Sequence, residues 1–216
     1  MNRLESLRDA GQALFDSGEV EGVLALRIAG SASTPHLYRR GDDLADLTLW
    51  PKYNLPKTLD MLLDLSDSSE GGPRLGVVVR GCEERGLTEL AKRNQIDMAR
   101  VVQIGLACTA DERDSCRCSW PYPSRIDAGD RVEGIADQLV ADHQQLSLEE
   151  RTGFWQQQFA RCIKCYGCRT VCPQCFCEVC TLEDGLWVET GKLAPPFPSY
   201  HLIRAYHTIG KCVGCT

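Results

Sequence analysis

Residues 75–108, LGVVVRGCEERGLTELAKRNQIDMARVVQIGLAC, decide the fold. LGVVVRG and RVVQIGLAC are short β-branched or aliphatic runs bounded by glycine, and the helical pattern EERGLTELAKRN lies between them. Strand, helix and strand in succession is the repeating unit of a parallel sheet. GVLALRIAG (22–30) adds another strand, and residues 2–16 set Leu4, Leu7, Ala10, Leu14 and Phe15 near helical spacing before SGEVEG closes the segment. The reading is an α/β domain with a mostly parallel sheet over residues 1–135, followed by a separate, cysteine-rich region over 136–216. SDSSEGGP (66–73) is a loop by composition, with no domain boundary because a strand follows at once.

The α/β domain is expected to end within the polar, turn-rich stretch around YPSRIDAGDRVEG (122–134). Beyond it, Ser147 and Glu150 match a capping box, and RTGFWQQQFARC (151–162) carries Phe154, Trp155 and Phe159 along an apolar stripe. Such a stripe predicts helix packing rather than a cofactor stack.

Composition narrows the function. A chain of 216 residues with 43 % hydrophobic content can bury a core without disulfide staples. A net charge of -6 and a pI near 5.3 argue against nucleic acid as a partner, because phosphate binding needs clustered Lys and Arg. The first residues alternate charged and apolar positions and lack a secretion signal, and no apolar run is long enough to span a membrane. The expected location is the cytoplasm, whose reducing conditions turn thirteen cysteines from candidate disulfides into candidate metal ligands.

RCIKCYGCRTVCPQCFCEVC (161–180) holds seven thiols in twenty positions. Within it Cys162, Cys165, Cys168, Cys172 and Pro173 spell C-x-x-C-x-x-C-x-x-x-C-P, the bacterial ferredoxin run for a 4Fe-4S cluster, so residues 136–216 are expected to form a ferredoxin-like iron-sulfur region. Three thiolates on a tight loop wrap one face of a cubane, and the fourth serves the other cluster in two-cluster proteins. Zinc asks for only four tetrahedral ligands and has no use for the third step before proline. KCVGCT (211–216) offers Cys212 and Cys215 as the opening of a second run, which stops there. Either the sequence is the N-terminal part of a longer polypeptide, or Cys172, Cys212 and Cys215 take a fourth thiolate from Cys175, Cys177 or Cys180; spacing leaves both open.

Cys82 follows the strand GVVVRG and precedes a helix, and Cys108 ends the strand VVQIGLA. If those strands are parallel neighbours, both thiols sit at the carboxyl edge of the sheet, where open α/β folds bind ligands. Cys116 and Cys118 would close over the same spot, with the N-terminus of the helix near Glu83 favouring a negatively charged cluster. The plainer alternative is that Cys82 and Cys108 are small buried hydrophobes. Three clusters would use twelve of the thirteen thiols.

FWQQQFARCIKCYGCRTVCPQCFCEVC (154–180) followed by HLIRAYHTIGKCVGC (201–215) resembles the iron-sulfur half of the coenzyme F420 hydrogenase/dehydrogenase beta-subunit family, the group that includes formate dehydrogenase beta subunits. VVVRGCEERGLTELAKRNQI and VVQIGLAC resemble the α/β domain of the same family, so the likeness covers most of the chain. The resemblance implies electron transfer through two to three 4Fe-4S clusters, often beside FAD, within anaerobic complexes. Its implied partners are heterodisulfide-reductase-like, hydrogenase or formate dehydrogenase subunits. Two features depart from it: the second ferredoxin run is incomplete, and RIAGSASTP and SSEGGP are glycine loops without the G-x-G-x-x-G of a dinucleotide site.

The expected function is a relay passing single electrons between partners. One alternative is a flavin-containing subunit that converts hydride to single electrons, with FAD in the α/β domain. The other is a zinc-stapled interaction module. Lys164 and Arg169 would offset cluster charge or lie solvated, and Arg85 would approach an anionic cofactor or water. His201 and His207 do not share a helical face, which disfavours joint metal binding. DDLAD and LEDG read as acidic turns without evident partners for acid-base work, and LAPPFPSY as an extended connector.

Overall fold

The computed structural model describes residues 2–65, 72–183 and 199–215. Most of SDSSEGGP and of LAPPFPSY lies outside the described residues. The chain divides into two compact units, Met1–Ala136 with Val213–Thr216, and Asp137–Cys212.

The first unit opens with α1 (Arg3–Ser17). Asn2 caps it: its side chain accepts from the Leu4 N–H at 3.1 Å, and Glu5 accepts from the Asn2 N–H at 3.2 Å. Gly18 ends the helix in the left-handed conformation, φ 71°, which glycine adopts without steric cost. Then come β1 (Gly22–Ala29), β2 (Ala32–Arg39), β3 (Leu47–Thr48), α2 (Leu55–Leu65), β4 (Leu75–Val79), α3 (Gly81–Ala91), β5 (Val101–Gly105) and α4 (Ala110–Cys116). The sheet order is β2-β1-β4-β5, with β3 also paired to β1.

The sheet is mixed. β1, β4 and β5 are parallel, with Val79 of β4 opposite Gly105 of β5, whereas β2 and β3 run antiparallel to β1. Residues read from the sequence as a glycine loop, RIAGSASTP, instead form the β1–β2 hairpin, turning at Gly30 (φ 64°). β2 escaped detection because it is an edge strand: it carries Pro35, tolerated only where a ladder N–H is dispensable, and it lacks a clean apolar alternation. All five residues of β4 are buried, as expected of a strand covered on both faces. Leu55, Leu59, Leu87 and Leu90, on α2 and α3, are buried too; each such side chain contributes about 1.5–3 kcal/mol by leaving water.

The turn-rich stretch 118–136 is packed onto the carboxyl edge of the sheet. The Gly105 N–H donates to Asp127 Oδ2 at 2.7 Å, the Asp127 N–H returns to the Gly105 carbonyl at 2.8 Å, and the Ala107 N–H reaches the Ala128 carbonyl at 2.9 Å. Two glycines make this approach possible. A Cβ on Gly105 would stand 1.8 Å from the Arg125 carbonyl oxygen, and one on Gly81 would stand 2.3 Å from that of Tyr122.

The second unit contains α5 (Gln138–Gln145), α6 (Leu148–Ala160), α7 (Gly167–Val171) and α8 (Ser199–Thr208). No strand occurs among its described residues, so its likeness to ferredoxin rests on cysteine spacing. The predicted capping box forms, with the Glu150 N–H donating to Ser147 Oγ at 3.2 Å and the Ser147 N–H to Glu150 Oε2 at 2.7 Å. The aromatic stripe of α6 is only partly packed: Phe159 stacks on His201 of α8 at 4.4 Å, but Phe154 and Trp155 remain 41 % and 47 % exposed. Among the described residues no helix is long and apolar enough to cross a membrane.

Gly105→Ala should therefore cost about 1–3 kcal/mol through overpacking, read as a lower denaturant midpoint with the slope unchanged. Asp60, on α2, supplies a pH-dependent test. Burial, reinforced by Asp64, raises its carboxyl from 3.8 to about 6. A raised carboxyl stabilises the fold only while protonated, so its contribution is lost as pH rises through about 6. Asp60→Asn should add about 1 kcal/mol near neutral pH, after discounting for solvent screening, and the gain should shrink as the pH is lowered toward the ordinary carboxylate range. Denaturant titrations of both proteins at several pH values check this.

Candidate metal centres

β4 and β5 end side by side, and the chain leaves both at the same edge. After Val79, Arg80 stays extended and α3 begins, putting Cys82 in its first turn. After Gly105 the pairing continues, the Leu106 N–H donating to the Val79 carbonyl at 2.8 Å, and the Cys108 N–H is fixed on the Pro121 carbonyl at 2.9 Å. Thr109 then caps α4. At the far end of α4, Arg117 adopts the left-handed conformation (φ 48°), reversing the chain between Cys116 and Cys118. As a result Cys82, Cys108, Cys116 and Cys118 line one pocket, together with Trp50, Lys52, Arg80 and Glu112.

The cations of this pocket were not singled out in the sequence. Arg80 is 3 % exposed; its guanidinium donates to the Leu49 carbonyl at 2.6 Å and lies 3.6 Å from Glu83. Glu83 is fully buried, and its carboxylate accepts from the N–H groups of Arg80 at 2.8 Å and Leu55 at 3.3 Å, so this buried ion pair is also satisfied by backbone donors. Glu112 is held by Arg3 at 2.9 Å. Lys52 hydrogen-bonds Cys82. Burial pulls its ammonium down, but the thiols of Cys82 and Cys116 and the Glu83 carboxylate outweigh that, for a net rise. The position of Arg80, two residues before Cys82, was the one clue available; nothing in the sequence ties Lys52 to cysteines thirty and more residues away.

Burial, aided by Glu83, pushes the Cys82 thiol up, and burial pushes the Cys108 thiol up to about 12. Neither is a ready thiolate at neutral pH, which argues against cysteine nucleophiles, whose thiols are depressed. Metal binding at such groups must release protons. Arg85, considered for an anionic cofactor, instead donates to the carbonyls of Trp120 at 3.2 Å and Val213 at 3.3 Å.

In the second unit, the loop from Cys162 to Cys168 contains two left-handed residues that are not glycine, Lys164 (φ 52°) and Tyr166 (φ 58°). Each costs about 1–2 kcal/mol, and together they curl the C-x-x-C-x-x-C segment. Lys164 is buried rather than solvated, and its N–H points at Cys162 Sγ, 3.4 Å away. The Tyr166 hydroxyl donates to the Leu182 carbonyl at 2.7 Å; Cys162 and Cys180 pack on the small core of Leu182 and Tyr200. Cys175, Cys177 and Cys180 border a cavity with the cationic side chains of Arg169, Arg204 and Lys211. Arg169 also pairs with Glu183, in the acidic turn LEDG. Cys165, Cys168 and Cys212 are exposed, and Cys172 and Cys215 are half-buried.

No disulfide joins any of the thirteen cysteines. Among the described residues, no group of three or more His, Cys, Asp or Glu side chains converges at the spacing of a single metal ion. One tetrahedral zinc requires that convergence. A cubane makes a different demand, since each thiolate binds its own iron at a separate corner. Four thiols around one pocket, with the buried Arg80 and the half-buried Lys52 beside them, fit such a group by donor chemistry and by charge.

No family model matches the sequence. Among curated proteins, the F420-dependent formate dehydrogenase subunit beta of Methanocaldococcus jannaschii is 37 % identical over 158 residues, covering 71 % of this chain and 37 % of the relative. The F420-dependent formate dehydrogenase 1 subunit beta of Methanococcus maripaludis is 36 % identical over 90 residues, 40 % of this chain and 23 % of the relative. The chain thus spans well under half the length of these relatives. Over the matched stretches it is related to the beta subunits of F420-dependent formate dehydrogenases, as its cysteine motifs and α/β strands had suggested.

Proposed function

We propose that the chain is an iron-sulfur electron-transfer subunit of a larger oxidoreductase. The observation that carries this reading is the gathering of Cys82, Cys108, Cys116 and Cys118, scattered through the sequence, around one pocket at the carboxyl edge of the parallel strands. The ferredoxin run of Cys162, Cys165, Cys168 and Cys172 supports it independently. The four pocket thiols would hold one 4Fe-4S cluster, and the thiols of residues 162–180 with Cys212 at least one more. Bound there, such clusters supply one-electron chemistry.

The chain's own residues do the rest. Lys52 and Arg80 place positive charge beside four thiols that carry negative charge once deprotonated. Trp50 lines the same pocket, and the stretch around Tyr122 packs closely against Gly81 beside it. The names of the relatives point to partners that oxidise formate or use a deazaflavin coenzyme. Hydrogenase-like and heterodisulfide-reductase-like subunits remain partners of the same chemical kind. The glycine loop after β1 is the turn of the β1–β2 hairpin rather than the strand-to-helix turn of a dinucleotide site, and most of SSEGGP lies outside the described residues.

Iron and acid-labile sulfide analysis of anaerobically purified protein should give about eight to twelve irons per chain. Cys82→Ala and Cys108→Ala should each remove about four irons and leave the remainder. A colourless, iron-free preparation would overturn the proposal, and zinc in place of iron would restore the stapled-module reading. Extraction of the same sample tests for flavin: FAD at one per chain would assign hydride-to-electron conversion to this chain, whereas its absence leaves the relay alone.

A further inference from the structure

α8 presents two hydrogen-bonding side chains one turn apart, Tyr200 and Arg204, on a single helical face. Both reach sulfur. The Tyr200 hydroxyl lies 3.6 Å from Cys168 Sγ, and Arg204 Nη1 donates to Cys175 Sγ at 2.9 Å. Arg204 Nη2 donates to the Cys168 carbonyl at 3.3 Å, which fixes the plane of the guanidinium. Tyr200 is 3 % exposed and packs on Leu182, so its phenol is also held. Nothing in the cysteine spacing anticipates either residue.

The apolar groove beside Trp155 and Phe159 has no observed occupant, and the cation of Lys211 is directed at the Gln174 carbonyl, 3.2 Å away. The two donors of α8 aim at residues already read as ligands, and that juxtaposition has a chemical consequence. Uptake of one electron adds a negative charge that spreads onto the coordinating sulfurs. A hydrogen bond to such a sulfur, above all from a fixed cation, stabilises the extra charge and raises the reduction potential. A metal-bound thiolate has no proton to give, so there the Tyr200 hydroxyl is the donor.

We propose that Tyr200 and Arg204 are positioning residues that raise the reduction potential of the iron-sulfur centre held by the thiols of residues 162–180. The proposal rests on the reading of those thiols as cluster ligands. Arg204 dominates, since it combines charge with the shorter contact; Tyr200 supplies a weaker, neutral hydrogen bond.

The test is an anaerobic redox titration of the full chain, followed by electron paramagnetic resonance of the reduced centres, with iron content measured on every sample. Arg204→Gln should keep its iron and shift the reduction equilibrium of one centre at least about tenfold toward the oxidised form, or about 59 mV for a one-electron couple. Tyr200→Phe should shift the centre bound through Cys168 in the same direction by less. Lys211→Met removes a cation from the same cavity and controls for charge alone; its shift should be smaller than that of Arg204→Gln. Arg204→Gln with full iron and an unchanged potential overturns the proposal, as does a shift no larger than that of Lys211→Met. If Arg204→Gln loses iron, Arg204→Lys and Tyr200→Phe decide: lowered potentials sustain the proposal and unchanged ones overturn it. An unmodified chain without iron refutes the iron-sulfur reading itself, an outcome distinct from unchanged potentials in an iron-loaded variant.

Discussion

Parallel pairing of β4 with β5 is the constraint on which the first unit depends. Two parallel neighbours finish at the same edge, and in this chain each strand is followed closely by a cysteine. A one-residue slip in either strand would turn its alternate side chains to the opposite face and separate the thiols. Register is held from two sides: β4 is buried along its whole length, and beyond β5 the stretch 118–136 is hydrogen-bonded onto the strand end. Gly81 and Gly105 belong to the same device, because a side chain at either position would push that stretch away from the pocket.

Burying ionisable groups beside the thiols requires compensation, and the structure supplies it in pairs. Arg80 answers Glu83, and Arg3 answers Glu112, each carboxylate also accepting backbone N–H groups. Lys52 faces Cys82. Isolated buried charges would cost several kcal/mol each, so these groups are tolerated only in combination. In the proposed role Lys52 and Arg80 would offset part of the negative charge of a bound cluster.

The second unit reaches a related end by other means. Instead of a sheet edge it uses a loop curled by left-handed backbone at Lys164 and Tyr166 and backed by the small core of Leu182 and Tyr200. Arg169 ties the loop to Glu183 and to the carbonyls of Cys177 and Glu178, and Arg204 ties α8 to Cys168 and Cys175. Arginine suits both places, because its planar fork engages two acceptors at once.

The sequence by itself determined an opening helix, read at 2–16 and found at 3–17, the strands within 75–81 and 100–108 with the helix between them, the cap at Ser147 and the ferredoxin spacing. These are local patterns, set by hydrophobic period, capping chemistry and ligand order along a few residues. β2 was missed because an edge strand containing proline lacks that period, and the exposure of Phe154 and Trp155 was missed because a stripe does not state what covers it. That Cys82, Cys108, Cys116 and Cys118 would converge was legible on the condition that their strands are parallel neighbours, and the pairing of β4 with β5 meets that condition; only the tertiary structure decided that Lys52 belongs with them, and that Tyr200 and Arg204 reach the thiols of Cys168 and Cys175. Those are contacts between residues far apart in the chain, fixed by strand register and helix packing, and no short-range pattern encodes them.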